Sequence, residues 1–284
     1  MSTASEFKTV FSDTKLSDNF YRFLQVVFHL YTEDKFHNLL KERTMQLNSD
    51  EEIYKKVQSE LPGIKPFLSE LTYALPALKK QKKEMARQAL ELMGDRRAIN
   101  GYMEIGSTGR YISELRKHLQ LSGPILLLND KAPSNSPADI MERGQLFRLG
   151  VFTNIQDYAP ISEETIASSS LDLITCYIGL HHCPDEKLGS FIKSLHRILR
   201  PGGMFIIRDH DVRTPVMATF VSLVHTVFNL GSNETWEFEK NDLKNFKSAN
   251  EWSRIICEAG FKDSGKRLLQ DKDPSDNTLM LFTK

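Results

Sequence analysis

The chain has 284 residues, 40% of them hydrophobic and 26% charged, ordinary globular values that exclude long disorder and leave room for one large domain or a core domain with a smaller companion. Lys plus Arg and Asp plus Glu both number 37, so no general electrostatic attraction draws the chain to nucleic acid or to an anionic membrane. Cys176, Cys183 and Cys257 form neither an even framework nor a C-x-x-C zinc pattern, the N-terminus lacks an apolar core of signal-peptide length, and no uncharged stretch is long enough to span a bilayer. The expected setting is therefore reducing and cytoplasmic.

Residues 1–95 read as helical throughout. Phe20, Phe23, Leu24, Val27, Phe28 and Tyr31 recur at spacings of three and four, with Ser17-Asp-Asn ahead of them as cap candidates. Further helices are expected over Ile53–Leu61, after Asp50, and over Ile64–Met93, with Pro66 and Pro76 starting, kinking or separating segments. Lys79, Lys80, Lys82, Lys83 and Arg87 read as a solvated helix face, since the aromatic and glycine interleaving of a nucleic-acid groove is missing. Gly94-Asp-Arg-Arg97 is the expected junction between a helical N-terminal cap or substrate domain, 1–95, and a second domain, 96–284.

From residue 101 apolar runs alternate with helical patterns, the signature of a doubly wound, mostly parallel α/β sheet. The first strand, Gly101–Ile105, ends beside an acid, Glu104. It passes through a turn holding Gly106, Ser107, Thr108 and Gly109 into a helix-patterned run, Tyr111–Gln120, whose first N–H groups are expected to face a ligand. Glu104 stands where a dinucleotide fingerprint would put its first glycine, and a carboxylate there repels a pyrophosphate. It suits a cationic ligand without phosphate, such as S-adenosylmethionine.

On these residues the chain resembles the class I S-adenosylmethionine-dependent methyltransferases, whose first motif is an acid followed by a glycine-rich turn. "EIGSTGRY" is one residue and one glycine shorter than the commoner E-I-G-x-G-T-G-R-Y form. The resemblance implies that Glu104 lies near the methionine end of the cofactor and that Gly106, Ser107, Thr108 and Gly109 let the backbone approach it. The second strand, Pro124–Leu128, ends in Asn129-Asp130, and Asp130 falls at the interval where an acid accepts hydrogen bonds from both ribose hydroxyls. A third strand is expected near Gln145–Val151. The family's adenine-binding acid after it is missing, and Phe152 with Asn154, or Asp157, are the open alternatives.

Leu171-Asp-Leu-Ile-Thr-Cys-Tyr-Ile-Gly-Leu-His-His-Cys-Pro-Asp185 resembles the family's fourth strand, which implies that Cys176 and Tyr177 lie beside the methionine portion of the cofactor. A helix follows through Leu188, Phe191, Ile192, Leu195, Ile198 and Leu199. Arg200-Pro-Gly-Gly ends it, and Met204–Arg208 is the fifth strand. "LRPGGMFII" is the third family-like motif. Beyond it, 212–248 forms a helical insertion in which Trp236 either lines an acceptor pocket or packs as core. Trp252–Gly260 is the last helix, and Lys266–Gln270 with Thr278–Thr283 makes a closing antiparallel hairpin.

Two loops carry the expected chemistry. Asp209, His210 and Asp211 leave the fifth strand, and a histidine between two carboxylates has its charged form favoured and can relay a proton, so these three are the catalytic candidates. For the His181-His182 pair a non-catalytic reading is the stronger, and the resemblance implies a structural or cofactor-edge role for His181. His181, His182, Cys183, Asp209, His210 and Asp211 could cluster around a metal, but no ligand spacing demands one, and none is expected. The resemblance implies transfer to an oxygen or nitrogen of a small-molecule acceptor, since Cys176-Tyr-Ile-Gly replaces the N-P-P-Y-type tetrad of enzymes that methylate DNA or glutamine nitrogen. The alternatives are a binding or regulatory protein that keeps the fold without transfer, and a nicotinamide-dependent oxidoreductase, disfavoured by Glu104. The sequence gives no oligomeric state.

Overall fold

The computed structural model describes residues 5–28, 31–65, 75–177 and 179–284, the side chains of 138, 141 and 142 excepted. The helices are α1 (Glu6–Ser12), α2 (Thr14–Val26), α3 (Glu33–Gln46), α4 (Asp50–Ile64), α5 (Leu75–Met93), α6 (Ile112–Leu115), α7 (Pro137–Arg143), α8 (Asp185–Ile198), α9 (Pro215–Gly231), α10 (Trp236–Asn241) and α11 (Ala249–Glu258). The strands are β1 (Ala98–Ile105), β2 (Gln120–Asn129), β3 (Val151–Asn154), β4 (Leu171–Cys176), β5 (Leu199–His210), β6 (Lys262–Leu269) and β7 (Asn277–Thr283). Among the described residues no helix is long and apolar enough to cross a membrane. Of the prolines expected to interrupt the N-terminal helices, Pro76 lies in the first turn of α5, where proline is tolerated, and Pro66 is outside the described residues.

The chain divides into two compact units, and the division differs from the boundary expected at residue 95. One unit comprises Met1–Ala77, His210–Phe246 and Gln270–Asn277; the other comprises Leu78–Asp209, Lys247–Leu269 and Thr278–Lys284.

The helical unit is built on phenylalanine. Phe7, Phe11, Phe20, Phe23, Phe28 and Phe36 are buried with Val221, Val224 and Val227 of α9, and Phe20 meets Phe220 edge to face at 6.0 Å. α9 is apolar around most of its circumference, which a helix tolerates when buried. Its few polar groups are matched: Ser222 donates to Glu6 at 2.6 Å, Thr226 donates to Glu239 at 2.6 Å, and Lys244 pairs with Glu239. Burial raises the Glu6 carboxyl above its usual value. Asp13, rather than Ser17-Asp-Asn, caps α2 by accepting from Leu16 N at 2.9 Å. Ser49 and Glu52 form a capping box on α4. Trp236 packs on Tyr54 at 5.3 Å, at the margin of this core.

The second unit is a seven-stranded sheet of order β3-β2-β1-β4-β5-β7-β6. β1, β2, β3, β4 and β5 pair in parallel and β6 pairs antiparallel with β7, as the sequence predicts for the closing hairpin. Alternate residues of each strand feed two cores. Met103, Ile105, Ile174, Cys176, Phe205 and Ile207 enter one; Tyr102, Leu173, Met204 and Ile206 enter the other.

Three expectations are corrected here. β3 begins at Val151, not near Gln145, because α7 runs to Arg143 and Gly144 ends it in the left-handed conformation. Arg200-Pro-Gly-Gly lies within β5, after α8 has stopped at Ile198. The helix after the glycine turn is only four residues long. Lys82 departs from the solvated face expected of it. It is 6% exposed and donates to Arg143 O at 3.0 Å, and burial lowers its ammonium to about 8.

Candidate active site

Sheet order reverses between β1 and β4, which places a crevice at their carboxyl ends, where open α/β sheets bind ligands. Ile105 lies in register with Leu128 on one side and Cys176 on the other, and Asn129 with Asn154. The glycine turn, Asp130 and the Cys176-Tyr177 pair therefore gather at one edge. Asp130 is exposed there, one residue past β2.

Glu104 organises the turn. It is fully buried, on the same strand face as Tyr102. Its carboxylate accepts from Tyr102 OH at 3.0 Å, Tyr111 N at 3.1 Å, Ile112 N at 2.9 Å and Ser107 OH. Thr175 on β4 completes the group with a 2.7 Å bond to Tyr102 OH. Ser107 Oγ in turn accepts from Gly109 N at 3.2 Å and Arg110 N at 3.1 Å. The N–H groups expected to face a ligand, those of Tyr111 and Ile112, are thus taken by Glu104. The shortened motif is closed by the Ser107 hydroxyl. Gly106 and Gly109 carry φ of 76° and 91°, conformations that favour glycine and shape the turn.

The adenine candidates are engaged locally. Asn154 donates to Asp130 O at 3.1 Å and accepts from Gln156 N at 2.6 Å, while Asp157 pairs with Lys187. Gln156, Asp157 and Tyr158 are three successive left-handed residues without a glycine among them, a strained turn of the kind found at ligand clamps.

A second cluster lies at the ends of β4 and β5. Beyond Cys176 the chain turns through Gly179 into a single 3-10 turn, Leu180–His182, held by Cys183 N donating to Leu180 O at 2.9 Å. Leu180 and Cys183 anchor that turn in the core. His181 is 3% and Asp209 1% exposed. Asp209 accepts from His181 Nδ1 at 2.9 Å through one oxygen and from His181 N at 3.3 Å through the other. A carboxylate only accepts, so Nδ1 carries the hydrogen and Nε2 is the basic nitrogen of the neutral ring.

The described bonds of His210 run to Ser275 and His225, while Asp209 bonds to His181. Strand alternation puts Asp209 on the face of Phe205 and Ile207, and turns His210 the other way. His210 is in the helical unit, where its Nδ1 donates to Ser275 O at 2.6 Å and its Nε2 lies 3.2 Å from His225 Nε2. Asp211, in the same unit, pairs with Arg213 at 3.4 Å. Neither aspartate caps α9, whose cap is Thr214. The functional candidate that the sequence reading set aside is His181. Its signal was the parity of the fifth strand, which turns Asp209 away from its neighbour in sequence.

Residues 150–207 match the family model of a methyltransferase domain, over a sheet whose order and closing antiparallel hairpin are those of the class I fold. The chain has the fold of the class I S-adenosylmethionine-dependent methyltransferases and matches their domain over 150–207. Over 130 residues, 43% of its length, the chain is 27% identical to the ubiquinone/menaquinone biosynthesis C-methyltransferase UbiE of Rickettsia akari, of which the match covers 52%. It is 31% identical over 101 residues, 33% of its length, to a demethylmenaquinone methyltransferase of Staphylococcus aureus, of which the match covers 41%. The chain thus spans about half or less of the length of these curated relatives. The CurJ carbon methyltransferase superposes with a TM-score of 0.50 over 95% of this chain and 70% of its own, at 16% identity, a likeness of fold.

The residues at the crevice fit the family's cofactor. Thr108 Oγ1 and Tyr177 OH are buried and make no hydrogen bond among the described residues. A buried hydroxyl without a partner is costly, and a polar ligand at this edge relieves it. Tyr177 also meets Tyr111 edge to face at 4.8 Å, which fixes its ring beside the turn.

Proposed function

We propose that this methyltransferase transfers the methyl group of S-adenosylmethionine to a carbon of a small-molecule acceptor, with the His181–Asp209 pair handling the acceptor's proton. The pair itself is the observation that carries the reading. Carbon takes the place of the oxygen or nitrogen expected from sequence because a matched relative is named a C-methyltransferase and others act, by their names, on demethylmenaquinone. In this reading Asp130 accepts from the ribose hydroxyls, Thr108 and Tyr177 gain partners for their hydroxyls, and Gly106, Ser107, Gly109 and Cys176 shape the cradle. Glu104 holds that cradle together from inside. When bound, the cofactor supplies an electrophilic methyl group. The chain's part is proton transfer: His181 Nε2 removes the proton that the acceptor carbon must lose, and Asp209 stabilises the imidazolium through Nδ1.

The test is calorimetric titration with S-adenosylmethionine, S-adenosylhomocysteine and NADH, followed by methyl transfer to a demethylmenaquinol analogue. Saturable binding of the first two alone, with label incorporated at carbon, supports the reading. Binding of none favours the non-catalytic alternative, for which the internally occupied N–H groups of Tyr111 and Ile112 are the supporting observation.

A further inference from the structure

We propose that Gly179 is a positioning residue for His181: by having no side chain it keeps open the slot in which the imidazole lies. Gly179 has φ −27° and ψ 141°, so a left-handed backbone is not what calls for glycine. Space is. A Cβ built on Gly179 falls 1.9 Å from His181 Cε1, 1.9 Å from Nδ1 and 2.9 Å from Cγ, whereas non-bonded carbons rest about 3.5–4.0 Å apart. No other residue at 179 coexists with the ring where it stands.

Of the two colliding parts, the ring is the one that yields. The backbone at 179 leads directly into the turn whose Leu180 is 1% exposed. The imidazole is placed by the bond from Nδ1 to Asp209 and lies against the ring of His182, centroids 4.3 Å apart, with two side-chain torsions free to adjust it. A Cβ lying against Nδ1 therefore turns the ring off the carboxylate. The consequence for turnover rests on the proton-handling reading above; the placement does not.

The experiment uses the full chain, labelled with nitrogen-15, as Gly179→Ala and, for control, Gly189→Ala, where a built Cβ meets nothing within 4 Å. The carboxylate-bonded Nδ1–H of His181, assigned by its disappearance in His181→Ala, is read by proton–nitrogen NMR. It is expected in the wild type and in Gly189→Ala, and lost or displaced in Gly179→Ala, with affinity for S-adenosylmethionine unchanged. An unaltered resonance in Gly179→Ala overturns the proposal. Should Gly179→Ala not fold, the double variant Gly179→Ala/His181→Ala decides, because it removes the ring that the Cβ strikes. Recovery to the Tm of His181→Ala supports the slot, and no recovery overturns it. In methyl transfer, Gly179→Ala is expected to lower turnover about a hundredfold or more and to add nothing to His181→Ala. If His181→Ala leaves transfer intact while Gly179→Ala displaces the resonance, proton handling falls and the positioning role stands.

Discussion

Asp209 holds His181 by both of its oxygens, one on the ring at 2.9 Å and one on the backbone N–H at 3.3 Å. The second bond fixes the turn as well as the ring, so the pair is a rigid unit. His181→Ala is expected to lower methyl transfer about 10²–10⁴-fold with cofactor affinity kept. Asp209→Asn removes the charge that stabilises the imidazolium and sets an NH2 group against one of the two N–H donors, so it should lower turnover and also the Tm, with cofactor affinity kept. Equal loss of cofactor binding in either variant would make the pair structural.

Asp130 stands exposed past the end of β2. Asp130→Ala should weaken S-adenosylmethionine binding about ten- to a hundredfold, the worth of one or two charge-assisted hydrogen bonds, with the denaturation midpoint unmoved. Calorimetry and urea unfolding on the same sample check both halves.

Glu104 should behave in the opposite way. Its carboxylate receives four donors in a fully buried place, so Glu104→Ala leaves several buried polar groups unmatched. It is expected to reduce stability by about 3 kcal/mol or more before any ligand is added. Glu104→Gln, which keeps the shape, should fall between the two in urea denaturation.

Lys82 gives a dependence on pH. Its folded-state value, about 8, lies below the ordinary 10.5 because of burial. Between those values the unfolded chain binds the extra proton. Stability should therefore rise with pH across that window, by up to about 1.4 kcal/mol per pH unit. It is fully gained above the ordinary value and lost as pH falls through about 8. Unfolding free energies compared between wild type and Lys82→Met at the two ends of the window should show the slope in the wild type alone.

His210→Ala should act on stability rather than on chemistry. The ring joins Ser275 and His225 within the helical unit, and losing it should cost about 1–3 kcal/mol without abolishing cofactor binding. Thermal unfolding set beside calorimetry separates the two effects.

The sheet was legible because its strands are continuous apolar runs and its turns carry glycine at fixed places: the first, second, fourth and seventh strands and α8 stand where their patterns put them. β3 was misplaced because it is short, at the sheet edge and half exposed, so no run of apolar residues marks it. α1–α5 look alike in periodicity, whereas residues of α1–α4 share a core with α9 and those of α5 a core with the sheet. His210 drew attention by its flanking acids, and the parity of β5, continued from Phe205 and Ile207 to Asp209, sets Asp209 on the opposite strand face from His210.

The helical unit is assembled from three stretches of chain, and this sets a timetable. The phenylalanine faces of α1 and α2 are made about two hundred residues before α9, the helix they enclose. At roughly 5–20 residues per second, the ribosome leaves those faces without their partner for about 10–40 s. During synthesis the N-terminal helices therefore wait for the partner that covers their apolar faces. A fragment ending at residue 95 should aggregate when made alone, whereas α9 supplied in trans should rescue it.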